Sequence, residues 1–371
     1  MASLSLGTGD IGAIETPALL LNLDVVERNL ARMAERARKL GVQLRPHAKT
    51  HKCPELGLRQ MAQGAVGLTV ATLAEAEAFV DAGVKDITWA VPIDPTHIVH
   101  AQRIAARPNT TLRVITDDLA TARALGGSGL HVWLKVDSGT HRAGVDPTSS
   151  YGKEVAQELG REDGLVFDGI LTHSGHAYKT RNHTEAAAVA EQERLVMVQF
   201  AKRLAVAGIP VRGVSVGSTP AMAAVKDLTG VTEVRPGNYV FYDRTMVLIG
   251  CCRARDVGVT VLATIVSHQP GADHCVMDAG ALALSKDPGP AHLDLAPSFG
   301  NVRRHRALHV ASVSQEHGVV RGSPAALRSM HVGDRIEIVP NHSCLTVAHF
   351  DDYHVMRDGR EIDRWAIRRE R

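Results

Sequence analysis

The sequence predicts an α/β fold, a (β/α)8 barrel followed by an all-β domain. Strand-like apolar runs alternate with amphipathic helical stretches from about Pro17 to Tyr242, and the pattern changes to β-runs separated by turns after about Thr245. Sustained alternation indicates a parallel sheet, and eight units in roughly 230 residues suit a closed barrel. We therefore assign residues 1–245 to the barrel and 246–371 to the β domain, which residues 1–14 could join.

The eight predicted strands have the buried composition that parallel strands require. In the first unit a strand over residues 18–23 precedes a helix that ends at Gly41, a typical C-terminal cap. An open doubly wound sheet is the alternative, but its GxGxxG fingerprint is missing after the first strand. The predicted strands are 18–23, 42–47, 67–71, 87–91, 112–115, 131–136, 166–172 and 213–216.

The C-terminal part shows strand-like runs with turn signals between them, such as Asp358-Gly359. The segment 282–306 is rich in Pro, Gly and Asp, which predicts a long surface loop. The predicted strands of this domain are 257–266, 274–278, 319–320, 335–339 and 353–357.

Bulk composition excludes several classes of protein. A hydrophobic content of 44% and a charged content of 22% are typical of globular chains, and a net charge of +2 gives no footprint for nucleic acid or an anionic membrane. No charge-free apolar run reaches the roughly 18–20 residues of a membrane span. Residues 1–10 lack the features of a signal peptide, and five cysteines without framework spacing fit reduced thiols. These features predict a cytoplasmic protein.

A basic segment, Arg45–Lys52 (RPHAKTHK), follows the second predicted strand, at the rim where barrel enzymes keep their sites. Residues two apart face the same side of a strand, so His47 and Lys49 should point together, and Arg45 could join them. Cationic neighbours and an apolar lining lower the pKa of a lysine, as Schiff-base chemistry requires. A solvated basic loop is the alternative interpretation.

Two glycine-containing segments are candidates for binding an anion. Gly217, Ser218 and Thr219 follow the eighth predicted strand, where backbone amides and hydroxyls can donate to a phosphate at a helix start. Barrels often bind phosphate after strands seven and eight. The segment Gly237–Tyr239, after a further β-run at 232–235, could supply more amides.

Polar residues also follow the sixth and seventh predicted strands. Arg142 cannot deprotonate and suits a cofactor oxygen or a substrate carboxylate. His173 and Tyr178 could stack on, or bond to, a flat heterocycle. His141 and His176 are interpreted as ordinary loop histidines.

A possible metal site lies in the β domain, at His342 and Cys344. On an extended chain these residues share a face, and imidazole plus thiolate suits Zn²⁺ or a similar transition metal. Two ligands fit a catalytic site with positions open for water and substrate. A buried cysteine beside a surface histidine is the alternative.

Taken together, the motifs resemble the fold-type III pyridoxal-phosphate enzymes, a TIM barrel of the alanine-racemase type with a C-terminal β domain. The resemblance is to the metal-activated family of D-serine dehydratase, 3-hydroxy-D-aspartate dehydratase and D-threonine aldolase, and it covers nearly the whole chain. It is carried by the segments Glu15–Ala18, Arg45–Thr50, Val214–Pro220, Arg235–Val240, Gln315–Gly318 and Pro340–Cys344.

The resemblance implies a role for each candidate residue. Lys49 would form the Schiff base with pyridoxal phosphate and act at Cα. His342 and Cys344 would hold a divalent metal (zinc, or manganese, cobalt or magnesium). The family forms dimers with sites at the subunit interface, so a homodimer acting on a small amino acid is implied. The cofactor would be held by Lys49, Arg142, His173, Tyr178, Gly217, Ser218, Thr219, Gly237, Asn238 and Tyr239.

The implied reaction is a dehydration of a β-hydroxy D-amino acid, namely D-serine, D-threonine or 3-hydroxy-D-aspartate. The His-x-Cys pair resembles the dehydratases, because the aldolases more often place Asp where Cys344 stands. Retro-aldol cleavage by an aldolase remains the alternative. A racemase would have no use for His342 and Cys344, and a non-catalytic cofactor carrier would need only the barrel and not the long C-terminal domain. Glu316, His317 and Asp243 stay without an assigned role.

Overall fold

A computed structural model describes residues 11–370, which form two compact units. We call residues 30–237 the barrel unit, and residues 11–29 with 238–369 the β unit. The division falls after Gly237 rather than after residue 245. The prediction that residues 1–10 form no signal peptide lies outside the described residues.

Strand β1 (Ala18–Asn22) was predicted as the first barrel strand, and this prediction is wrong. It pairs antiparallel with residues 259–262 and parallel with residues 354–356, all in the β unit. Ile14 packs beside it against Leu262 and Met356. The apolar run of β1 is compatible with burial in either kind of sheet, so composition alone could not assign it.

The barrel unit contains eight parallel strands: β2 (Gln43–Leu44), β3 (Leu68–Val70), β4 (Asp86–Pro92), β5 (Thr111–Thr116), β6 (His131–Lys135), β7 (Val166–Leu171), β8 (Gly213–Val216) and β9 (Glu233–Val234). They follow the order β2-β9-β8-β7-β6-β5-β4-β3. The backbone N–H of Val66 donates to Leu44 O at 2.9 Å and that of Thr69 to Pro46 O at 2.8 Å, which joins the two ends. The (β/α)8 barrel is thereby confirmed, with β9 as its eighth strand.

Helices alternate with these strands, and side-chain caps explain where several of them begin. Thr72 accepts from the backbone N–H of Glu75 at 3.0 Å, and Asn182 accepts from that of Glu185 at 3.0 Å. The helices are α1 (Leu23–Lys39), α2 (Pro54–Ala62), α3 (Leu73–Asp81), α4 (Ile98–Ala105), α5 (Leu119–Ala124), α6 (Ser150–Arg161), α7 (His183–Val206) and α8 (Thr219–Ala224).

The β unit is built on a nine-stranded sheet in which β1 is joined by β10 (Val259–Ser267), β11 (His274–Met277), β12 (Asn301–Val302), β13 (Leu308–Val313), β14 (Gly318–Gly322), β15 (Arg335–Val339), β16 (Asp352–Arg357) and β17 (Arg360–Ala366). The order is β11-β14-β13-β12-β15-β10-β1-β16-β17. A register shift between Ile265 and Ser267 lets β10 pair with both β15 and β11, which closes six strands into a ring. The five predicted strands are present, and β12, β13 and β17 are additional.

Four short helices complete the β unit: α9 (Arg244–Leu248), α10 (Ala281–Leu284), α11 (Pro324–Arg328) and α12 (Ser343–Val347). The segment predicted as a surface loop, 282–306, contains the end of α10, a 3₁₀ turn at Ala291–Leu293 and β12. Within residues 11–370 no helix is long and apolar enough to cross a membrane.

Candidate active site

Lys49 lies in a 3₁₀ turn, Ala48–Thr50, directly after β2 at the C-terminal end of the barrel strands. His47 caps this turn by accepting from the backbone N–H of Lys49 at 3.4 Å. Lys49 and His47 were predicted to share one face of a strand. This prediction is wrong, because the strand ends at Leu44. A tight turn nevertheless keeps the two side chains close enough for their charges to interact.

The surroundings of Lys49 are positively charged. Burial, together with the charges of Lys49 and Arg235, holds the pKa of His173 well below its usual value. Burial and the charge of Lys49 do the same to the pKa of His47. Both imidazoles are therefore neutral near pH 7, since protonating either would add another buried cation to this cluster.

Two buried cations near Lys49, Lys135 and Arg235, were missed by sequence reasoning. Lys135 ends β6, and burial with the charge of Arg235 lowers its pKa to about 8. Arg235 follows β9 and donates to the Ser215 hydroxyl and to Thr172 O. Neither residue lies in a segment of unusual composition, so no local signal marked it. Arg142, in contrast, is exposed, although its charge also lowers the pKa of His173.

His173 and Tyr178, the two residues interpreted as possible contacts of a flat ring, lie near each other. Their ring centroids are 6.5 Å apart with a tilted geometry, and His173 Nδ1 is 3.4 Å from Gly217 O. His141 is exposed and paired with Asp137 at 3.0 Å.

The candidate phosphate segment begins at Gly217, whose φ of +102° favours glycine. Ser218 caps α8 by accepting from the backbone N–H of Ala221 at 3.4 Å, and Thr219 is fully buried at the first helical position. Because β1 is not a barrel strand, this segment follows the seventh barrel strand and Gly237 follows the eighth. Both positions are typical of phosphate sites in barrels.

A buried carboxylate, Glu193 on α7, forms hydrogen bonds with the candidate phosphate segment and its neighbour Ser174. It accepts from the Ser174 hydroxyl at 2.9 Å and from the backbone N–H of Gly217 at 3.3 Å. Ser174 Oγ lies 3.1 Å from Ser218 Oγ. Burial raises the pKa of Glu193, while these two donors and the charge of Arg235 oppose the shift. Sequence reasoning missed Glu193, because it lies in the middle of a long helix.

Gly237 packs against the Lys49 turn. A Cβ at this position would lie 2.9 Å from His47 O and 3.0 Å from Thr50 Oγ1, which is too close for any other residue without movement. The glycine therefore allows the chain after β9 to approach the chain after β2.

Arg45 does not join Lys49, contrary to expectation. Its side chain is almost fully buried, with Nε donating to Glu233 Oε2 at 2.6 Å and Nη1 donating to Asp86. Arg113 donates to the same Asp86 carboxylate. Arg45 thus belongs to an ion-paired network between strands, and its role is to satisfy buried charges.

In the β unit, His342 and Cys344 are brought together by a helix start rather than by an extended chain. His342 is the N-terminal cap of α12, and Cys344 lies in its first turn. Burial disfavours the imidazolium, but hydrogen bonds to Asp287 and Cys344 and the nearby charge of Asp243 raise the pKa of His342. His342 Nδ1 lies 3.5 Å from Asp287 Oδ2. Across residues 11–370 no three His, Cys, Asp or Glu side chains converge as metal ligands.

Asp243, which had no predicted role, fixes this turn. Its buried carboxylate accepts from Asn238 Nδ2 at 2.6 Å and from the backbone N–H of Ser343 at 3.1 Å. Asn238 Nδ2 also donates to Ser343 Oγ at 3.0 Å, and Asn238 Oδ1 is buried without a hydrogen-bond partner in the described chain. The side-chain amide of Asn238 therefore has no donor left for a phosphate, and only its backbone N–H could serve. Tyr239 is fully buried in the same turn.

Comparison with protein families decides the assignment. Residues 21–245 match the model of the alanine racemase N-terminal domain, and residues 258–356 match that of a serine dehydratase domain. The chain belongs to the family that combines an alanine racemase N-terminal domain with a serine dehydratase domain. It is an enzyme of the fold-type III pyridoxal-phosphate class, because the family's named members are dehydratases and aldolases of that class.

Three curated relatives span the family's activities. A D-threo-3-hydroxyaspartate dehydratase of Delftia sp. (strain HT23) is 37% identical, covering 95% of this chain and 97% of the relative. A D-serine dehydratase of Dictyostelium discoideum is 36% identical, covering 95% and 96%. A D-threonine aldolase of Arthrobacter sp. is 31% identical, covering 96% and 93%.

Solved structures agree with this assignment. The Delftia sp. HT23 dehydratase superposes with a TM-score of 0.91 at 36% identity, covering 96% of this chain and 98% of that chain. Variants of the D-threo-3-hydroxyaspartate dehydratase have also been solved, one with a cysteine replaced by alanine in a metal-free form and one with a histidine replaced by alanine. The two replaced residues are two positions apart, the spacing of His342 and Cys344.

Proposed function

We propose that the protein is a metal-dependent, pyridoxal-phosphate-dependent dehydratase of β-hydroxy D-amino acids. The observation that carries the proposal is the adjacency of the His342 imidazole and the Cys344 thiol. A nitrogen and a sulfur donor side by side suit a divalent transition metal, which a dehydratase can use and a racemase does not need. Its higher identity to the two dehydratases than to the aldolase supports the same conclusion.

The barrel unit fits pyridoxal phosphate by charge and by donor set. Lys49, Lys135 and Arg235 surround neutral His47 and His173, so an anionic phosphate would compensate buried positive charge. Lys49 would hold the cofactor, with His173 and Tyr178 beside its ring and Arg142 at its oxygen. Gly217, Ser218, Thr219, Gly237 and the backbone amides of Asn238 and Tyr239 would hold the phosphate.

The bound cofactor supplies delocalisation of the electron pair left at Cα. Lys49 is the residue that takes the Cα proton, since its amine is the basic group on the turn at the barrel mouth. This proton transfer requires the neutral amine of Lys49. The outcome is loss of hydroxide from Cβ, followed by release of a keto acid and ammonia.

His342 and Cys344 fit a metal with open positions better than a closed structural site. Two protein donors are fewer than the four of a structural zinc site, which leaves room for water and a substrate hydroxyl. The carboxylates of Asp243 and Asp287 near His342 give this region the negative charge that attracts a cation. The metal would stabilise the departing hydroxide, as metals lower the pKa of bound water. Zinc is the expected ion.

Cleavage of the Cα–Cβ bond by an aldolase is the second candidate. The 31% identity to a D-threonine aldolase favours it, and the same residues would serve. It requires a base at the β-hydroxyl, and none of the described residues is identified for that role.

The cellular location, the substrate and the oligomeric state of the enzyme also belong to the proposal. None of the five cysteines, all of which lie in the described residues, forms a disulfide, which supports a reducing, cytoplasmic location. A small amino acid is the expected substrate. We also propose a homodimer, as the family resemblance implies.

Product analysis tests the proposal. The purified enzyme is incubated with D-serine, D-threonine and 3-hydroxy-D-aspartate, each with and without a chelator. Formation of keto acid and ammonia that stops on chelation is the expected result. Glycine plus an aldehyde would assign the aldolase instead, and turnover indifferent to chelation would remove the role given to His342 and Cys344.

A further inference from the structure

Arg244, at the start of α9, is a partly buried cation without an acidic partner. Among the described residues it forms no ion pair, and its Nε is buried without a hydrogen-bond partner. Its one side-chain hydrogen bond runs from Nη1 to the neutral Asn341 Oδ1 at 3.0 Å. Burial lowers its pKa, with no carboxylate to offset the effect. A buried N–H without an acceptor is costly, and an anion is the strongest acceptor that this guanidinium could gain.

The position of Arg244 is fixed relative to the candidate metal ligands. Its backbone N–H donates to Pro340 O at 3.0 Å, and Thr245 Oγ1 donates to Asn341 O at 2.8 Å. Asn341 directly precedes His342. The guanidinium is thus attached by hydrogen bonds to the segment that leads into the His342–Cys344 turn.

Neighbouring residues leave space for the guanidinium but do not neutralise it. Gly289 has a φ of +89°, and a Cβ there would lie 3.1 Å from Arg244 Nη1. The adjacent carboxylate of Asp243 is already committed to Asn238, Ser343 and the backbone N–H of Met246. The available partner for Arg244 is therefore an anion that enters with a ligand.

We propose that Arg244 binds the second carboxylate of a dicarboxylic substrate and makes 3-hydroxy-D-aspartate the preferred substrate over D-serine. This inference rests on the proposed function, which places the β-hydroxyl at the metal held by His342 and Cys344. The hydroxyl and the second carboxylate are bonded to the same carbon, Cβ. A cation attached to the residue before His342 is therefore suited to that carboxylate rather than to the α-carboxylate. D-Serine has no such group.

The test compares Arg244→Gln with wild type in the metal-loaded holoenzyme. The value of kcat/KM for 3-hydroxy-D-aspartate should fall about 10- to 100-fold, the usual loss for a charge-assisted hydrogen bond, with most of the change in KM. The value for D-serine should stay within about threefold of wild type. Arg303→Gln is the matched control, because Arg303 is already paired with Glu337 at 3.1 Å, and its substrate ratio should not change.

Equal losses for both substrates would overturn the proposal, because they would mean binding of the α-carboxylate or a structural role. No change with either substrate would overturn it as well. Dissociation constants of both amino acids, measured by calorimetry, separate failure of the role given to Arg244 from failure of the proposed function. If wild type makes no keto acid, the dehydratase proposal fails, while a selective weakening of 3-hydroxy-D-aspartate binding in Arg244→Gln would still support the role of Arg244.

Discussion

The candidate sites of the two units carry opposite charge. In the barrel unit, Lys49, Lys135 and Arg235 surround imidazoles whose pKa values are depressed. In the β unit, by contrast, Asp243 and Asp287 help to raise the pKa of a histidine. The net charge of +2 conceals this difference. One unit suits an anion such as a cofactor phosphate, and the other suits a metal cation.

The two sites also differ in how the chain assembles them. The barrel site collects residues that follow five separate strands, such as Lys49 after β2, His173 after β7 and Ser218 after β8. The pair in the β unit comes from one helix start, stabilised by Asp243. Barrel substitutions should therefore affect cofactor binding, whereas substitutions at the helix start should affect the metal alone.

Replacing Lys49 has the largest expected effect and tests whether the barrel unit holds the cofactor through this residue. Lys49→Arg keeps the positive charge but cannot form a Schiff base, so turnover should fall at least about 10³-fold, consistent with the loss of a catalytic base and covalent attachment. The visible absorbance of the lysine-bound cofactor should disappear in the same variant. Lys49→Ala, which also removes the charge, should bind the cofactor more weakly than Lys49→Arg. Persistence of the absorbance in either variant would contradict the role of Lys49.

Replacing Glu193 tests whether the phosphate segment depends on the buried carboxylate behind it. Glu193→Ala removes the acceptor of the Gly217 N–H and of the Ser174 hydroxyl, so the dissociation constant of pyridoxal phosphate should rise about 10-fold. Glu193→Gln keeps an acceptor oxygen and should show a smaller rise. Cofactor titration of the apoenzyme, followed by absorbance, gives these values.

Glu191→Ala is the control on the same helix. The Glu191 side chain is 46% exposed and is paired with Arg194 at 2.6 Å. Equal cofactor affinity in Glu191→Ala and Glu193→Ala would show that Glu193 does not position the phosphate segment.

Much of the fold follows from pattern, because strand and helix periods are local properties of the chain. The exceptions have a physical cause. The apolar run of β1 suits either unit, and counting it as the first barrel strand left the β-run at 232–235, which contains β9, outside the predicted eight. In β17 (REIDRWA), one of the three β-unit strands that were missed, polar residues interrupt the alternation.

The candidate site was predictable where its residues form compact motifs. Lys49, His342 and Cys344 each lie in a short segment with unusual composition. Arg235, Lys135 and Glu193 depend on contacts between residues distant in sequence, which no local pattern contains. Arg45 illustrates the converse, since it shares a motif with Lys49 but pairs with Glu233 and Asp86 instead.

The most direct test of the division between the two units is a combined measurement on the His342→Ala/Cys344→Ala variant. Metal content by mass spectrometry, cofactor absorbance and turnover are determined on one sample. The account predicts that metal and turnover are lost while the absorbance of the lysine-bound cofactor is retained. Retained turnover, or loss of the cofactor together with the metal, would contradict it.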